Sequence, residues 1–166
     1  MQNDVYHTAD SGSRTMLLQL NLSSAFDTLD TITLLRRLRF TFGISGLALN
    51  WVSSYFLMRR CQSVRVGEKQ SSIISCEYGV PQGSVLEALL FPLYVSPVAT
   101  VINAFEVNQM QYADDTQLYV TLKDIKSTSS LQNCFHAVQH WLDINGLLMN
   151  PDKTEAIIGT GAVACQ

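Results

Sequence analysis

The sequence is poor in charge and has no excess of basic residues. Charged side chains make up 15% of its 166 residues and the formal net charge is −3, with an isoelectric point near 5.5. A domain that binds nucleic acid on its own usually carries a basic surface, so the overall charge counts against that class. The basic residues are nevertheless clustered, as in Arg36, Arg37, Arg39, Arg59, Arg60, Arg65 and Lys69. Such clusters are typical of solvated helix faces, and become candidate phosphate contacts beside a site that acts on phosphate.

The chain also lacks the patterns of zinc-binding, secreted and membrane proteins. The four cysteines, Cys61, Cys76, Cys134 and Cys165, have no Cys-x-x-Cys spacing of the kind that builds zinc sites. The first 14 residues are polar, so no secretory signal is predicted. The most apolar window, residues 85–102, contains a glutamate and two prolines, which argues against a membrane span. We expect an intracellular protein, in the cytoplasm or the nucleus, with reduced thiols.

The periodicity of the sequence predicts an α+β domain with a real core, since 47% of the residues are apolar. The predicted elements are a strand at 15–20, two helices or one broken helix within 30–58, a hairpin of 62–66 with 72–77, a helix from about 84 to 102 that Pro92 and Pro97 should kink or shorten, a hairpin of 105–112 with 116–121, a helix at 127–145 and a short final strand. This order predicts an antiparallel sheet covered by helices on one face. The first strand would bring residue 21 near the second hairpin turn if the two strands are neighbours.

Two adjacent carboxylates, Asp114 and Asp115, occupy the predicted turn of the second hairpin, in the stretch QYADDTQLYV. Two like charges repel, and Asn-Gly or Asp-Gly is the usual choice in such a turn. One interpretation is a solvated turn and the other is a cation site, because Mg²⁺ takes one or two carboxylates and accepts substrate phosphate oxygens as further ligands. A site for two such ions needs several carboxylates, so a third should come from another strand.

The tetrapeptide YADD at 112–115 resembles the active-site box of reverse transcriptases. Three further segments resemble the other palm boxes of that family in the same order: NLSSAFDTLD at 21–30, GVPQGSVL at 79–86 and GLLMNPDKTE at 146–155. The linking stretches GISGLALNWVSSYFLMRR and WLDINGLLMNPDKTE are most similar to polymerases of non-LTR (LINE-type) retrotransposons. The resemblance implies a polymerase palm with a ferredoxin-like core at 15–160, a remnant of the fingers at 1–14 and a tail at 161–166, with the fingers mostly and the thumb wholly missing.

The resemblance also implies roles for residues of the third and fourth boxes. Asp114 matches the metal ligand of a two-ion Mg²⁺ site, with Asp115 beside it. Lys153 matches a proton donor near the outgoing pyrophosphate; without the boxes it would be read as a surface lysine. Tyr112 either supports the primer end or simply fills the strand.

In the first and second boxes the resemblance points to nucleotide contacts. Phe26 matches the position where an aromatic ring screens the sugar 2′ position of the incoming nucleotide, although a core phenylalanine is an equal alternative. Gln82 and Gly83 match residues that pack against nucleotide and template. The other interpretation of Pro-Gln-Gly-Ser is a helix start with Ser84 near the cap.

The sequence departs from the family pattern at two places. Asn21 stands where the first box has Asp, and its amide oxygen can coordinate a cation but carries no negative charge. Asp27 does not replace that ligand, because the family has an Asp at this later position too; Asp27 and Asp30 are interpreted as helix-start residues. Glu87-Ala88 replaces the usual Gly-Pro and adds a negative charge near a substrate path.

These features predict an inactive fragment of a non-LTR retrotransposon polymerase. The family reaction is Mg²⁺-dependent synthesis of DNA on RNA, so the implied partners are an RNA template, a DNA primer and a dNTP, with fingers and thumb segments supplied in trans and no membrane. One alternative is a non-catalytic palm that binds nucleic acid or metal, with Arg36, Arg37, Arg39, Arg59 and Arg60 on phosphates. The other is a relic without function that exposes apolar surface.

Overall fold

The computed structural model describes residues 14–57, 60–76, 78–81 and 83–160. The predicted fingers remnant apart from Arg14, the predicted tail at 161–166 and Gln82 lie outside the described residues. The described chain forms two compact units, one from the described parts of residues 1–25 and 95–166 and one from residues 26–94. Over the described ranges no helix is both long and apolar enough to span a membrane.

The secondary structure mixes short strands with five α-helices in the described ranges. The strands are β1 (Arg14–Leu20), β2 (Leu22–Ser23), β3 (Cys61–Gln62), β4 (Arg65–Val66), β5 (Lys69–Gln70), β6 (Ile74–Ser75), β7 (Asn108–Tyr112), β8 (Asp115–Leu122), β9 (Leu148–Met149) and β10 (Glu155–Thr160). The helices are α1 (Thr31–Phe40), α2 (Gly46–Leu57), α3 (Glu87–Val95), α4 (Val98–Asn103) and α5 (Ile125–Ile144), with a 3-10 turn at Pro151–Lys153. The predicted α+β class is confirmed.

The first unit is built on a four-stranded antiparallel sheet in the order β10-β1-β8-β7. Strand β1 is central and pairs with β8, so the predicted adjacency of these two strands is confirmed. Helix α5 packs against β8 and against α4. Its buried residues are Leu131, Cys134, Val138 and Leu142, spaced three or four apart as one helix face requires.

Helix α5 begins two residues earlier than predicted because of its N-cap. The Asp124 carboxylate accepts hydrogen bonds from the Ser127 N–H at 2.9 Å and the Ser127 hydroxyl at 3.0 Å. These bonds favour the ionised carboxylate and lower the pKa of Asp124. An N-cap carboxylate satisfies backbone N–H groups that have no partner within the first helical turn, so the helix starts at Ile125.

The second unit contains α1, α2 and the predicted first hairpin. Asp30 caps α1 by accepting from the Thr33 N–H at 2.8 Å, which confirms its interpretation as a helix-start residue. The hairpin exists as two short ladders, β3 with β6 and β4 with β5. The helix predicted from 84 to 102 is instead two helices, α3 and α4, that separate at Ser96 and Pro97. Pro92 lies inside α3 without ending it.

Candidate active site

The carboxylate pair lies at the tip of the β7–β8 hairpin, and the turn is one residue earlier in the chain than predicted. Tyr112 pairs with Asp115, so the two turn residues are Ala113 and Asp114 and Asp115 is already the first residue of β8. Ala113 has a φ of +52°, the left-handed region that the first turn position of a type II′ hairpin uses. Tyr112 is 76% exposed, so its side chain is not part of the core.

The sheet register brings the first, third and fourth boxes together in the first unit. Leu20 pairs with Thr116 in the last pair of the β1–β8 ladder, so Asn21 and Asp115 both adjoin that pair. Gln19 pairs with Glu155, two residues after Lys153, at the same end of the β1–β10 ladder. Asn21 therefore follows a strand that pairs on one side with the carboxylate-bearing strand β8 and on the other with β10, which comes after the lysine-bearing turn.

The backbone of Asn21 is bound to the fourth box through two residues, Asn150 and Thr154, which we call the strap. The Asn150 N–H donates to the Asn21 carbonyl at 2.8 Å. The Thr154 hydroxyl donates to the Asn150 carbonyl at 2.7 Å, and the Asn21 N–H points to the same hydroxyl at 3.5 Å, a long contact. The β2–β9 ladder continues this attachment.

The strap was missed in the sequence, although its first residue leaves a signal there. Asn150 precedes Pro151, and its side chain accepts from the Asp152 N–H at 3.1 Å to cap the 3-10 turn. Asn at the cap followed by Pro is a typical start of a helical turn. The same turn carries Lys153, whose N–H donates to the Asn150 carbonyl at 3.3 Å. The strap thus holds residue 21 and the lysine turn as one piece.

The oxygen donors of this region fit one hard cation better than two. Asp114 and Asp115 offer carboxylates and Asn21 a neutral amide, which matches Mg²⁺ when waters or phosphates complete its shell. Within the described residues, no group of three or more His, Cys, Asp or Glu side chains could hold a metal ion. Two such ions about 4 Å apart repel by roughly 16 kcal/mol at an effective dielectric constant near 20. A site for two ions therefore needs several carboxylates at one place.

In the second unit, the first and second boxes are in direct backbone contact. The Val80 N–H donates to the Phe26 carbonyl at 2.8 Å. A Cβ on Gly79 would lie 2.7 Å from the Phe26 carbonyl oxygen and 2.8 Å from the Asp27 Cα, and Gly79 has a φ of +76°. Only glycine fits this position without displacing the backbone of the first box. The half-buried ring of Phe26 packs on Phe91 with ring centroids 4.9 Å apart. This position is compatible both with a core phenylalanine and with a ring that contacts the incoming nucleotide.

Glu87, which with Ala88 replaces the usual Gly-Pro of the family, forms a hydrogen bond with the second box. Its carboxylate accepts a hydrogen bond from the Gly83 N–H, while the Ser84 hydroxyl accepts from the Glu87 N–H at 3.2 Å. This is a variant of the capping box. In that motif a Ser side chain accepts from the N–H of a Glu three residues later, and the Glu side chain accepts from the backbone N–H of the Ser. The helix-start interpretation of Ser84 is confirmed, and the backbone amide of Gly83 is already occupied by a carboxylate.

The described arginines of the clusters differ in their surroundings, and half-buried Arg37 makes its contacts within the fold. Its guanidinium donates to the Tyr94 carbonyl and lies 4.4 Å from the centre of the Tyr94 ring. Burial lowers the pKa of Arg37 and raises the pKa of Tyr94. Arg60 packs 5.1 Å from the Phe56 ring centre, and Arg59 lies outside the described residues. Arg36 and Arg39 remain exposed on α1.

Comparisons with known proteins agree with this arrangement. The family model described as reverse transcriptase (RNA-dependent DNA polymerase) matches residues 2–163. The RNA-directed DNA polymerase from mobile element jockey of Drosophila melanogaster is 36% identical over 104 residues, which cover 59% of this chain and 11% of that protein. The chain therefore spans about a tenth of the length of this relative.

Solved structures of telomerases share the fold at low sequence identity. Telomerase from Candida tropicalis in complex with a TWJ fragment of telomeric RNA superposes with a TM-score of 0.70 at 15% identity, over 95% of this chain and 28% of that one. Apo telomerase from the same organism, truncated from its C-terminal domain, gives 0.67 at 14% identity, over 98% and 34%. At this level of identity the likeness shows the fold alone.

Proposed function

The chain belongs to the reverse transcriptase family as a domain of a LINE-type retrotransposon polymerase, and we propose that it is a palm whose catalytic centre is disarmed at Asn21. Reverse transcriptases generally use Mg²⁺ and act on an RNA template with a primer. For this chain an RNA template, a DNA primer and a dNTP are the proposed partners. The proposed palm covers residues 15–160.

The order of elements supports the palm interpretation. In chain order, the sheet strands of the first unit are β1, β7, β8 and β10, and across the sheet they run β10-β1-β8-β7. In the described ranges, a segment that holds α1 to α4 and the first hairpin separates β1 from β7, a hairpin joins β7 to β8, and α5 lies between β8 and β10. A split βαβ arrangement of this kind is the ferredoxin-like pattern, which we assign to the core.

The residues of the site take the roles of a nucleotidyl-transfer centre. Asp114 and Asp115 would hold Mg²⁺, which when bound stabilises charge on phosphate oxygens. Lys153, held by the strap, would give a proton to the departing pyrophosphate. In the second unit, described by itself, the family resemblance gives Phe26 the role of screening the sugar 2′ position and gives Gly83 a backbone contact with the nucleotide, once Glu87 releases the Gly83 amide.

A single observation supports loss of activity most strongly. Leu20, the residue before Asn21, pairs with Thr116, the residue after Asp115, and we infer that a carboxylate at position 21 would add the third negative charge. An amide of nearly the same shape keeps the position and the hydrogen bonds of the backbone, yet contributes no charge. On this proposal the site keeps its residues but carries too little negative charge for two ions, and the Glu87 contact with Gly83 would be a second obstacle to substrate.

Primer extension on an RNA template tests this proposal. Residues 15–160 would replace the matching part of the jockey polymerase, with the unaltered jockey enzyme as the positive control. We expect no incorporation with the natural segment, Mg²⁺-dependent incorporation with Asn21→Asp, and none with Asn21→Asp combined with Asp114→Asn. Full activity of the natural segment would refute the disarming role of Asn21. An inactive but folded Asn21→Asp chimera would refute the claim that this residue alone disables the site.

A further inference from the structure

The positive charge of the chain is concentrated in one segment of the second unit. Residues 31–67 contain six arginines and no Asp, Glu or Lys. The remainder of the chain holds the other five of its 11 basic residues and all 14 acidic ones. A segment with charge of one sign attracts a partner of the opposite sign and steers its approach. Arginine in particular suits carboxylates, because its planar fork binds them through two hydrogen bonds.

Helix α1 carries part of this charge on a second, outward face. Its inward face buries Thr31, Leu34 and Leu38. Its outward stripe, which we call the α1 stripe, consists of Ile32, Leu35, Arg36, Arg39 and Phe40. These positions are spaced as one helix face requires, and Ile32 is 58% and Phe40 75% exposed. A solvent-facing stripe is normally polar throughout, whereas this one combines large apolar side chains with arginines alone.

The α1 stripe borders a groove against α2. The groove has a volume of about 200 Å³ and is lined by the five residues of the stripe and by Leu49 of α2. Three of its lining side chains, Ile32, Leu35 and Leu49, are aliphatic. Arg36 and Arg39 place positive charge at the same site. An amphipathic helix binds by laying its apolar face into a hydrophobic groove, and charge of one sign beside the groove favours a helix with the opposite charge.

We propose that this α1–α2 groove binds an acidic amphipathic helix of a partner protein. The stripe from Ile32 to Phe40 is about 12 Å long at 1.5 Å per residue, which matches two turns of a bound helix with apolar anchors at i, i+3 or i+4, and i+7. Acidic residues flanking those anchors would pair with Arg36 and Arg39. The proposal is independent of polymerase activity, since it uses none of the site residues.

Single-stranded RNA fits the same groove less well. Proteins bind it by stacking bases on open aromatic faces along a basic track. Phe40 is the aromatic side chain among the six residues that line the groove, and the Arg39 guanidinium lies 5.3 Å from the centre of its ring. One face of Phe40 is therefore already covered, and the aliphatic floor offers nothing on which a second base could stack.

Fluorescence anisotropy on the purified chain tests the proposal with three labelled probes. The first is a designed 14-residue helical peptide with Leu anchors flanked by Glu, the second carries Gln in place of each Glu, and the third is a 12-nucleotide uridine RNA. We expect the Glu peptide to bind roughly three- to thirtyfold more tightly than the Gln peptide, the range for two partly exposed ion pairs. The RNA should bind more weakly than the Glu peptide.

Matched variants locate the binding site. Arg36→Gln with Arg39→Gln should weaken the Glu peptide to the level of the Gln peptide, whereas Arg65→Gln, on the exposed strand β4, should leave it unchanged. Equal binding of the two peptides by the natural chain would overturn the proposal without any variant. RNA binding that the double variant abolishes would identify a nucleic-acid surface instead. A dimer that Phe40→Ala dissociates, seen by light scattering, would show that a second copy fills the groove.

Discussion

The contact between the first and second boxes makes a strong prediction for Gly79→Ala. The left-handed φ of +76° costs an alanine about 1–2 kcal/mol. The new Cβ would lie under 3 Å from three backbone atoms of Phe26 and Asp27, and overpacking of this kind costs about 1–3 kcal/mol. We expect a total loss of roughly 2–5 kcal/mol, which lowers the melting temperature by about 4–20 °C for a chain of this size.

Gly43→Ala is the matched control, because Gly43 has a φ of +68° and nothing within 4 Å of its Cβ position. It should lose only the conformational part, about 1–2 kcal/mol. Thermal unfolding followed by circular dichroism gives both values. Hydrogen exchange at the Val80 amide, which bonds the Phe26 carbonyl, should accelerate in Gly79→Ala alone. Equal melting temperatures and equal Val80 exchange in the two variants would refute the close approach of the boxes.

Three further predictions concern interactions of single side chains. Arg37→Met should lower the unfolding free energy by about 2 kcal/mol because its hydrogen bond to the Tyr94 carbonyl is lost, whereas exposed Arg36→Met should change it by less than about 0.5 kcal/mol. Equal effects of the two changes in urea unfolding would contradict the contact between Arg37 and Tyr94. Thr154→Val should cost about 1 kcal/mol and speed hydrogen exchange at Asn21, and unchanged exchange would argue against the strap. Folding lowers the pKa of Asp124, so its N-cap stabilises the fold at neutral pH and loses this effect as the pH falls below about 4. Asp124→Asn should therefore make the melting temperature less dependent on pH in this acid range. A melting profile that Asp124→Asn leaves unaltered would contradict the N-cap.

Local periodicity was sufficient to predict most elements. Helix α5 was expected at 127–145 and occupies Ile125–Ile144, because its buried residues follow helical spacing over its whole length. The two hairpins were also found near the positions that the alternation of residues predicted. The stretch within 30–58 forms two helices, one of the two alternatives that its helical spacing allowed. The errors lie at the ends of elements, where single caps such as Asp124 and a break at Ser96 and Pro97 decide the boundary.

Contacts between distant parts of the chain could not be read from the sequence. The Arg37 bond to Tyr94 spans 57 positions, so a cluster of arginines gave no sign that one of them turns inward. The strap joins Asn21 to a threonine 133 positions away. The four boxes suggested that Asn21 and the carboxylates belong to one site, but their placement across the sheet depends on a register that only the fold determines.

The proposed disarming of the site at Asn21 is best tested by comparing metal binding by the natural chain with metal binding by Asn21→Asp. Isothermal titration with Mn²⁺ and Mg²⁺ would compare these two proteins, with Asp114→Asn combined with Asp115→Asn as the negative control. We expect Asn21→Asp to bind the ions at least about tenfold more tightly than the natural chain, a difference of about 1.4 kcal/mol, and the control to show no binding. Equal affinity of the natural chain and Asn21→Asp would contradict the claim that the missing carboxylate at position 21 disarms this site.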